Sequence, residues 1–238
     1  MTAFQYYFYK YNNNMFIGHY GIGFAAKKLT FDKAKPGKTP SLGTLFLAAQ
    51  FLDVLWPVFI LFGIEKVTIE PTAKAFQTLH FIYYPFSHSL IAAVIWALLF
   101  GLIYYAFRKD INYSIVLALV VLSHWILDLI SHFPDLQLVP GSNIKVGLSL
   151  WNSLTFIIIV EGFIFLFGVY FYFTSTKAIN KKGQILLWAL LIFLSITYVM
   201  DIIGPPPPSI KAITISGFSQ WLIIAWGYWI DRNRTGIL

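Results

Sequence analysis

The chain has 238 residues, of which 58% are hydrophobic, 19% aromatic and only 11% charged, whereas an ordinary soluble domain is about a quarter charged. A water-soluble core cannot absorb that much apolar surface, and the absence of cysteine excludes disulfides, thiolate zinc sites, iron–sulfur clusters and a cysteine nucleophile. The net charge of +7 sits in short tracts between apolar runs and not along one basic face, which argues against a nucleic-acid partner and for topology signals.

A spanning helix needs about 20 mostly apolar residues. The amino-terminal stretch Met1–Asn14 is aromatic and asparagine-rich with one Lys, unlike a cleavable signal peptide. Met15–Ala26 is apolar but about half the required length, fenced by Asn12–Asn14 and by Lys27–Lys28, and predicts a re-entrant or interfacial half-helix carrying His19. Six spans follow: Ser41–Ile64 with Asp53, Phe86–Phe107 with His88, Tyr113–Ile130 with His124 and Asp128, Ser153–Thr174 with Glu161, Gln184–Ile203 with Asp201, and Ala212–Ile230. The proline run Pro205–Pro208 ends the fifth, since it has no backbone donors. The expected fold is therefore all-α: a single integral membrane domain with residues 1–40 as the half-helix and a basic loop, 41–230 as a six-helix bundle and 231–238 as a tail.

Basic residues alternate between the loops. Lys27, Lys28, Lys33, Lys35 and Lys38, then Arg108 and Lys109, then Lys177, Lys181 and Lys182, then Arg232 and Arg234 mark one side, which the positive-inside rule makes cytoplasmic together with both termini. The other loops hold Lys66 and Lys74 offset by Glu65 and Glu70, Lys145 beside Asp135, and Lys211 alone; these face outward. Trp151, Trp188, Trp221 and Tyr228 near span ends read as interface anchors.

Ionisable residues inside a membrane are costly and are functional-site hypotheses by default. The sharpest signal is the run from Ser123 to His132, in which His124, Asp128 and His132 are spaced i, i+4, i+8 and project from one broad helix face. An imidazole and a carboxylate one turn apart are a common way for a helix to provide two metal ligands. Each residue also has a structural reading: His124 and Asp128 as a hydrogen-bonded pair locking a helix contact, His132 as a cap before Pro134, and Asp53, Glu161 and Asp201 as polar groups compensated on other helices. His80, ahead of Pro85, reads as a solvated loop histidine.

With His19, Asp53, Phe86-Ser87-His88-Ser89 and the His124/Asp128/His132 cluster in this order, the sequence resembles the family of membrane-bound metal-dependent hydrolases. That family is distantly similar in ligand order to the zinc-dependent phospholipase C and single-strand nuclease group. The match runs from about Met15 to Glu161, and its most specific parts are the Ser-His-Ser and the Ser-His-x-x-x-Asp. The resemblance implies that Asp53, His88, His124 and Asp128 form one metal site, with His19 on a neighbouring ion bridged by Asp128. It also implies one or two divalent ions, zinc foremost, and a bacterial inner membrane. Tyr83-Tyr84-Pro85 replaces the family's His-Arg-Gly, Gln50–Val54 replaces its Pro-Asp-x-Asp, and the phospholipase group's later His-x-x-x-Glu is missing, which argues against a full three-metal site.

The leading expectation is metal-assisted hydrolysis of a phosphoester or lipid head group at the outer leaflet, with Glu161 or Asp135 as proton acceptor. A membrane lipid suits this depth because it can diffuse sideways to the site. The rivals are a proton- or cation-coupled transporter using the same side chains as a relay, and a structural protein in which a metal staples the bundle. The transporter lacks the paired Gly/Pro-broken helices that mark such sites.

Overall fold

The protein is described by a computed structural model over residues 16–30, 39–69, 79–205 and 207–237. Met15 and the segment before it, Lys33, Lys35, Lys38, Glu70, Lys74 and Pro206 lie outside the described residues.

The chain opens with α1 (Ile17–Thr30), followed by α2 (Leu42–Ala49) and α3 (Phe51–Leu61). After a hairpin of β1 (Lys66–Ile69) and β2 (Leu79–Tyr83) come a single turn, α4 (Pro85–His88), and the long helices α5 (Leu90–Arg108) and α6 (Ile111–Ser131). The short pair β3 (Leu136–Gln137) and β4 (Lys145–Val146) and a 3-10 turn at Leu150–Asn152 lead to α7 (Leu154–Ser175). Strand β5 (Thr176–Ala178), α8 (Lys181–Ile203), α9 (Ile210–Asp231) and β6 (Arg234–Gly236) complete the chain, with β6 antiparallel to β5. The fold is an all-α polytopic bundle, and among the described residues its strands occur only in three small two-stranded pairs.

Among the described residues, four helices, α5 to α8, are long and apolar enough to cross a membrane, and a fifth span is formed if α2 and α3 are taken together. The sequence reading counts about six. The first expected span is broken at Gln50 and bends by 57°, and the sixth, α9, has 22 residues but holds Gln220 mid-helix and Lys211 and Asp231 near its ends, which dilutes its apolarity. Apolar side chains such as Leu98, Phe107, Phe163 and Leu222 remain on the outside of the bundle, as lipid contact requires.

The amino-terminal half-helix is packed into the bundle. At 14 residues and about 1.5 Å per residue it is too short to span. Ile17 to Tyr20, Phe24 and Ala26 are buried, and α1 packs against α2, α6, α7 and α8. Glycine permits this. A Cβ on Gly21 would lie 2.6 Å from the Ile164 carbonyl oxygen of α7, and Gly168 faces Gly21 at still closer range. Small residues allow such backbone approach in membrane bundles, where packing and not hydrophobicity drives association.

One apolar cluster gathers Tyr20, Phe24, Leu42, Phe46, Tyr172, Leu190 and Ile224 from α1, α2, α7, α8 and α9, and another gathers Leu45, Leu52, Ala93, Leu117 and Val121 from α2, α3, α5 and α6. At one end of the bundle Lys27 pairs with Asp231, which also accepts from the Leu42 amide (2.9 Å) and the Tyr172 hydroxyl (3.2 Å). The three loops between α3 and α4, α6 and α7, and α8 and α9 meet elsewhere, around a common cavity.

Candidate metal centre

Helix α6 starts on Asp110, whose carboxylate accepts the Tyr113 amide at 3.2 Å. From that start, regular spacing carries His124 and Asp128 onto one buried face, with His124 Nε2 3.3 Å from Asp128 Oδ2. His132 does not continue the row. It is the C-cap, with φ −64° and ψ 152°, so the chain has left the helix and its ring swings to Asp135 (Nδ1 to Oδ1, 3.1 Å) and lies against Trp151 at 4.0 Å between centroids.

The break between α2 and α3 places the next ligand. There the Ala49 carbonyl accepts from His124 Nδ1 at 2.7 Å; a side chain inserted into the helical ladder is a recognised cause of a sharp kink. Asp53 falls in the first turn of α3, and its Oδ1 lies 3.6 Å from His124 Nε2 and 3.3 Å from His88 Nε2. His88 comes from α4, which Ser89 separates from α5 by acting as the N-cap of the longer helix. Its Nε2 is also 3.7 Å from Asp128 Oδ2. Helix α1 brings His19, whose ring stacks on His124 (3.8 Å, 8° between planes) and whose Nε2 is 3.3 Å from Asp128 Oδ1.

Two histidines are held in a defined tautomer. A carbonyl can only accept, so His124 Nδ1 carries the hydrogen donated to Ala49, and the neutral ring offers its lone pair at Nε2. For His88 the partner of Nδ1 is the Ser87 hydroxyl (2.6 Å), which itself donates to Glu65 Oε2 (2.6 Å). The Ser87 hydrogen being used there, His88 Nδ1 is the donor and its Nε2 lone pair also faces the carboxylates. Glu65 is buried and further accepts from the Phe86 and Ser87 amides, both at 2.8 Å. Burial pushes its carboxyl up from the usual range, opposed by the hydrogen bond from Ser87 and by His88.

A cation held between them is one arrangement that satisfies lone pairs facing carboxylates. His124 Nε2, Asp128 Oδ2 and both ring nitrogens of His19 are buried without a hydrogen-bond partner, although the oxygen and nitrogen stand 3.3 Å apart. Ligands about 2.0–2.1 Å from a tetrahedral zinc are separated by about 3.4 Å, close to the 3.3 Å nitrogen–oxygen separations here. Protonating both stacked rings instead would set two positive charges face to face. The ligand atoms of His19, His124 and Asp128, and those of Asp53, His88 and His124, each lie within 4.8 Å of one another. The donor set fits a hard or borderline divalent ion held by imidazole and carboxylate, with Asp53 facing the cavity.

Of the residues singled out from sequence, His19, Asp53, His88, His124 and Asp128 are brought together, and His132, Asp135 and Glu161 stand outside these groups. Asp135 accepts from Tyr84 Oη at 2.7 Å as well as facing His132; burial and this carboxylate push the Tyr84 phenol well above its ordinary value, keeping it a donor. Glu161 is fully buried and accepts the Phe16 amide at 3.5 Å, just ahead of α1. His80 is exposed on β2. Trp151, expected at a lipid interface, is instead buried against His132 and Phe133, because the 3-10 turn folds it inward. Glu65 and Ser87 were not visible in the sequence as partners: the hairpin separates them, and no spacing rule links a loop carboxylate to a hydroxyl 22 positions on.

A cavity of about 430 Å³ opens beside the cluster, bordered by Asp53, His88 and Asp128 on one wall and by side chains of α8 and α9 on the other, with His132 and Trp151 between them. The profile of a family described as YdjM inner membrane protein matches residues 15–205. No curated protein and no solved structure matches the chain.

Proposed function

Because the chain belongs to the YdjM inner membrane protein family, an integral membrane setting is the premise from which we propose a metal-dependent hydrolase acting on a phosphoester, with a lipid head group as substrate. The observation that carries this reading is the pair of imidazoles locked through Nδ1 so that Nε2 meets the carboxylates of Asp53 on α3 and Asp128 on α6 at 3.3–3.7 Å. His19, Asp53, His88, His124 and Asp128 would hold the ion. When bound, a divalent cation supplies Lewis acidity toward water and a phosphoryl oxygen.

The chain's own side chains divide the remaining work. Ser87 and Glu65 fix the His88 ring, and Ala49 fixes His124. Glu161 anchors the start of α1 and so the height of His19; a carboxylate also suits the positive end of a helix dipole. Asp135 acts through His132, whose ring borders the cavity with Nδ1 held by the carboxylate, an arrangement suited to accepting a proton from water.

The test is release of phosphate or head group from mixed phospholipids by purified protein loaded with zinc, with Asp128→Asn as control. The reading predicts turnover lost by at least about 100-fold in the control, the scale on which removing an essential charge-stabilising group acts. Full metal loading without turnover on any phosphoester would leave the metal as a staple of the bundle and defeat the hydrolase. Proton-coupled flux in liposomes without turnover would favour a transporter.

A further inference from the structure

We propose that the groove between α1, α6 and α7 binds an anionic phospholipid, its acyl chain lying between the helices and its phosphate meeting Lys28. The site is separate from the candidate metal centre, and the proposal does not rest on the hydrolase reading.

Helix α1 packs against both α6 and α7, and residues of all three line a concavity of about 490 Å³. Small-ligand sites run from about 300 to 1,000 Å³. Ala26 is buried and Ala25 and Ser123 are half-buried at its floor, whereas Leu29, Leu119 and Phe167 stand exposed around it. A helix, about 10–12 Å across with its side chains, would rest on those three rim residues. A single hydrocarbon chain passes between them to the alanine floor.

The lining is that of a hydrocarbon site with one charge. Its single hydroxyl, on Ser123, donates to the Val120 carbonyl at 2.7 Å, so no polar ligand group is called for inside. Lys28 is the one charged residue on the lining. Its side chain is exposed and its Nζ stands 4.4 Å from the centre of the Phe171 ring, a contact on one side that leaves N–H donors of the ammonium for an anion.

The place of that charge selects the head group. Lys28 follows Lys27, whose partner Asp231 ends α9 just before Arg232 and Arg234. The positive-inside rule makes this end cytoplasmic, and basic pockets between spanning helices on that side suit anionic lipid head groups. Tails gain no hydrophobic advantage by leaving the bilayer for a groove, so van der Waals packing and the head-group charge decide the binding. The bound lipid would brace, from outside, the helix that carries His19.

The experiment uses metal-free full-length protein, delipidated in detergent and offered dioleoyl phosphatidylglycerol or dioleoyl phosphatidylcholine, with retained lipid counted by native mass spectrometry. The wild type is expected to retain a single phosphatidylglycerol and to prefer it by about 5-fold, the scale of one Lys at an anionic surface. Lys28→Gln is expected to abolish that preference. Lys109→Gln, which removes an exposed cation outside the groove, should leave it unchanged. Ala25→Phe and Ser123→Phe fill the groove from two different helices, so the test stands should either variant fail to fold; each is expected to lose both lipids while keeping wild-type helicity. Equal retention of the two lipids by the wild type, equal effects of Lys28→Gln and Lys109→Gln, or undiminished retention in the folded Phe variants overturns the proposal. A wild-type dimer in light scattering that the Phe variants dissociate would also overturn it, by assigning the groove to a second copy of the chain.

Discussion

Two of the candidate ligands, His88 and His124, are held through Nδ1 by partners that are not themselves candidates, and the consequences differ residue by residue. His124→Ala or Asp128→Ala removes a donor from the middle of the cluster, and zinc affinity is expected to fall by more than 100-fold in equilibrium dialysis. Glu65→Gln and Ser87→Ala leave every candidate ligand in place and alter the hold on His88, the former while keeping an amide oxygen for the Phe86 and Ser87 amides. Outer-shell partners of this kind typically contribute 10–100-fold in metal affinity. Both variants are therefore expected to bind zinc about 10–100-fold more weakly while keeping wild-type helicity by circular dichroism. Unchanged affinity in both would mean that His88 does not ligate.

At the scale of elements, the decisive packing is α1 against α7. Gly21→Val would drive its side chain into the Ile164 carbonyl, and backbone cannot yield as a flexible side chain does. Overpacking costs about 1–3 kcal/mol, and here it should also displace His19, so the variant is expected to lose thermal stability and metal together. Lys27→Met makes the complementary prediction. It leaves Asp231 without its cation at the opposite side of α1, and breaking a buried pair costs about 3–5 kcal/mol, yet it touches no ligand. Its melting point should fall with zinc stoichiometry retained.

These elements also mark the limit of what the sequence discloses. The i, i+4 spacing of His124 and Asp128 reads directly as one helix face, because both lie inside a regular helix. The same rule extended to His132 fails to place it beside them, because the helix ends there and the backbone turns. Asp53 reads as midway along a continuous span, whereas the bend at Gln50, made where an imidazole from α6 meets the Ala49 carbonyl, depends on a residue 75 positions away. The short apolar run around His19 reads correctly as too short to span; its burial depends on glycines facing each other across α1 and α7, a pairing that hydropathy does not encode.

Across the whole molecule, the candidate ligands come from α1, α3, α4 and α6, so an ion held by all of them would also cross-link segments distant in sequence. A ligand that binds only the folded state stabilises it by about 2.7 kcal/mol at 100 times its dissociation constant. Chelation is therefore expected to lower the thermal midpoint of the wild type and to leave that of the His124→Ala variant unmoved. The most direct measurement of the central claim is X-ray absorption at the zinc edge on metal-loaded protein. The account predicts one or two zinc ions per chain with a shell of nitrogen and oxygen at about 2.0–2.2 Å and outer scattering from imidazole rings, all lost in the Asp128→Ala variant. A wild type that retains no zinc, or a shell unchanged by that substitution, would contradict it.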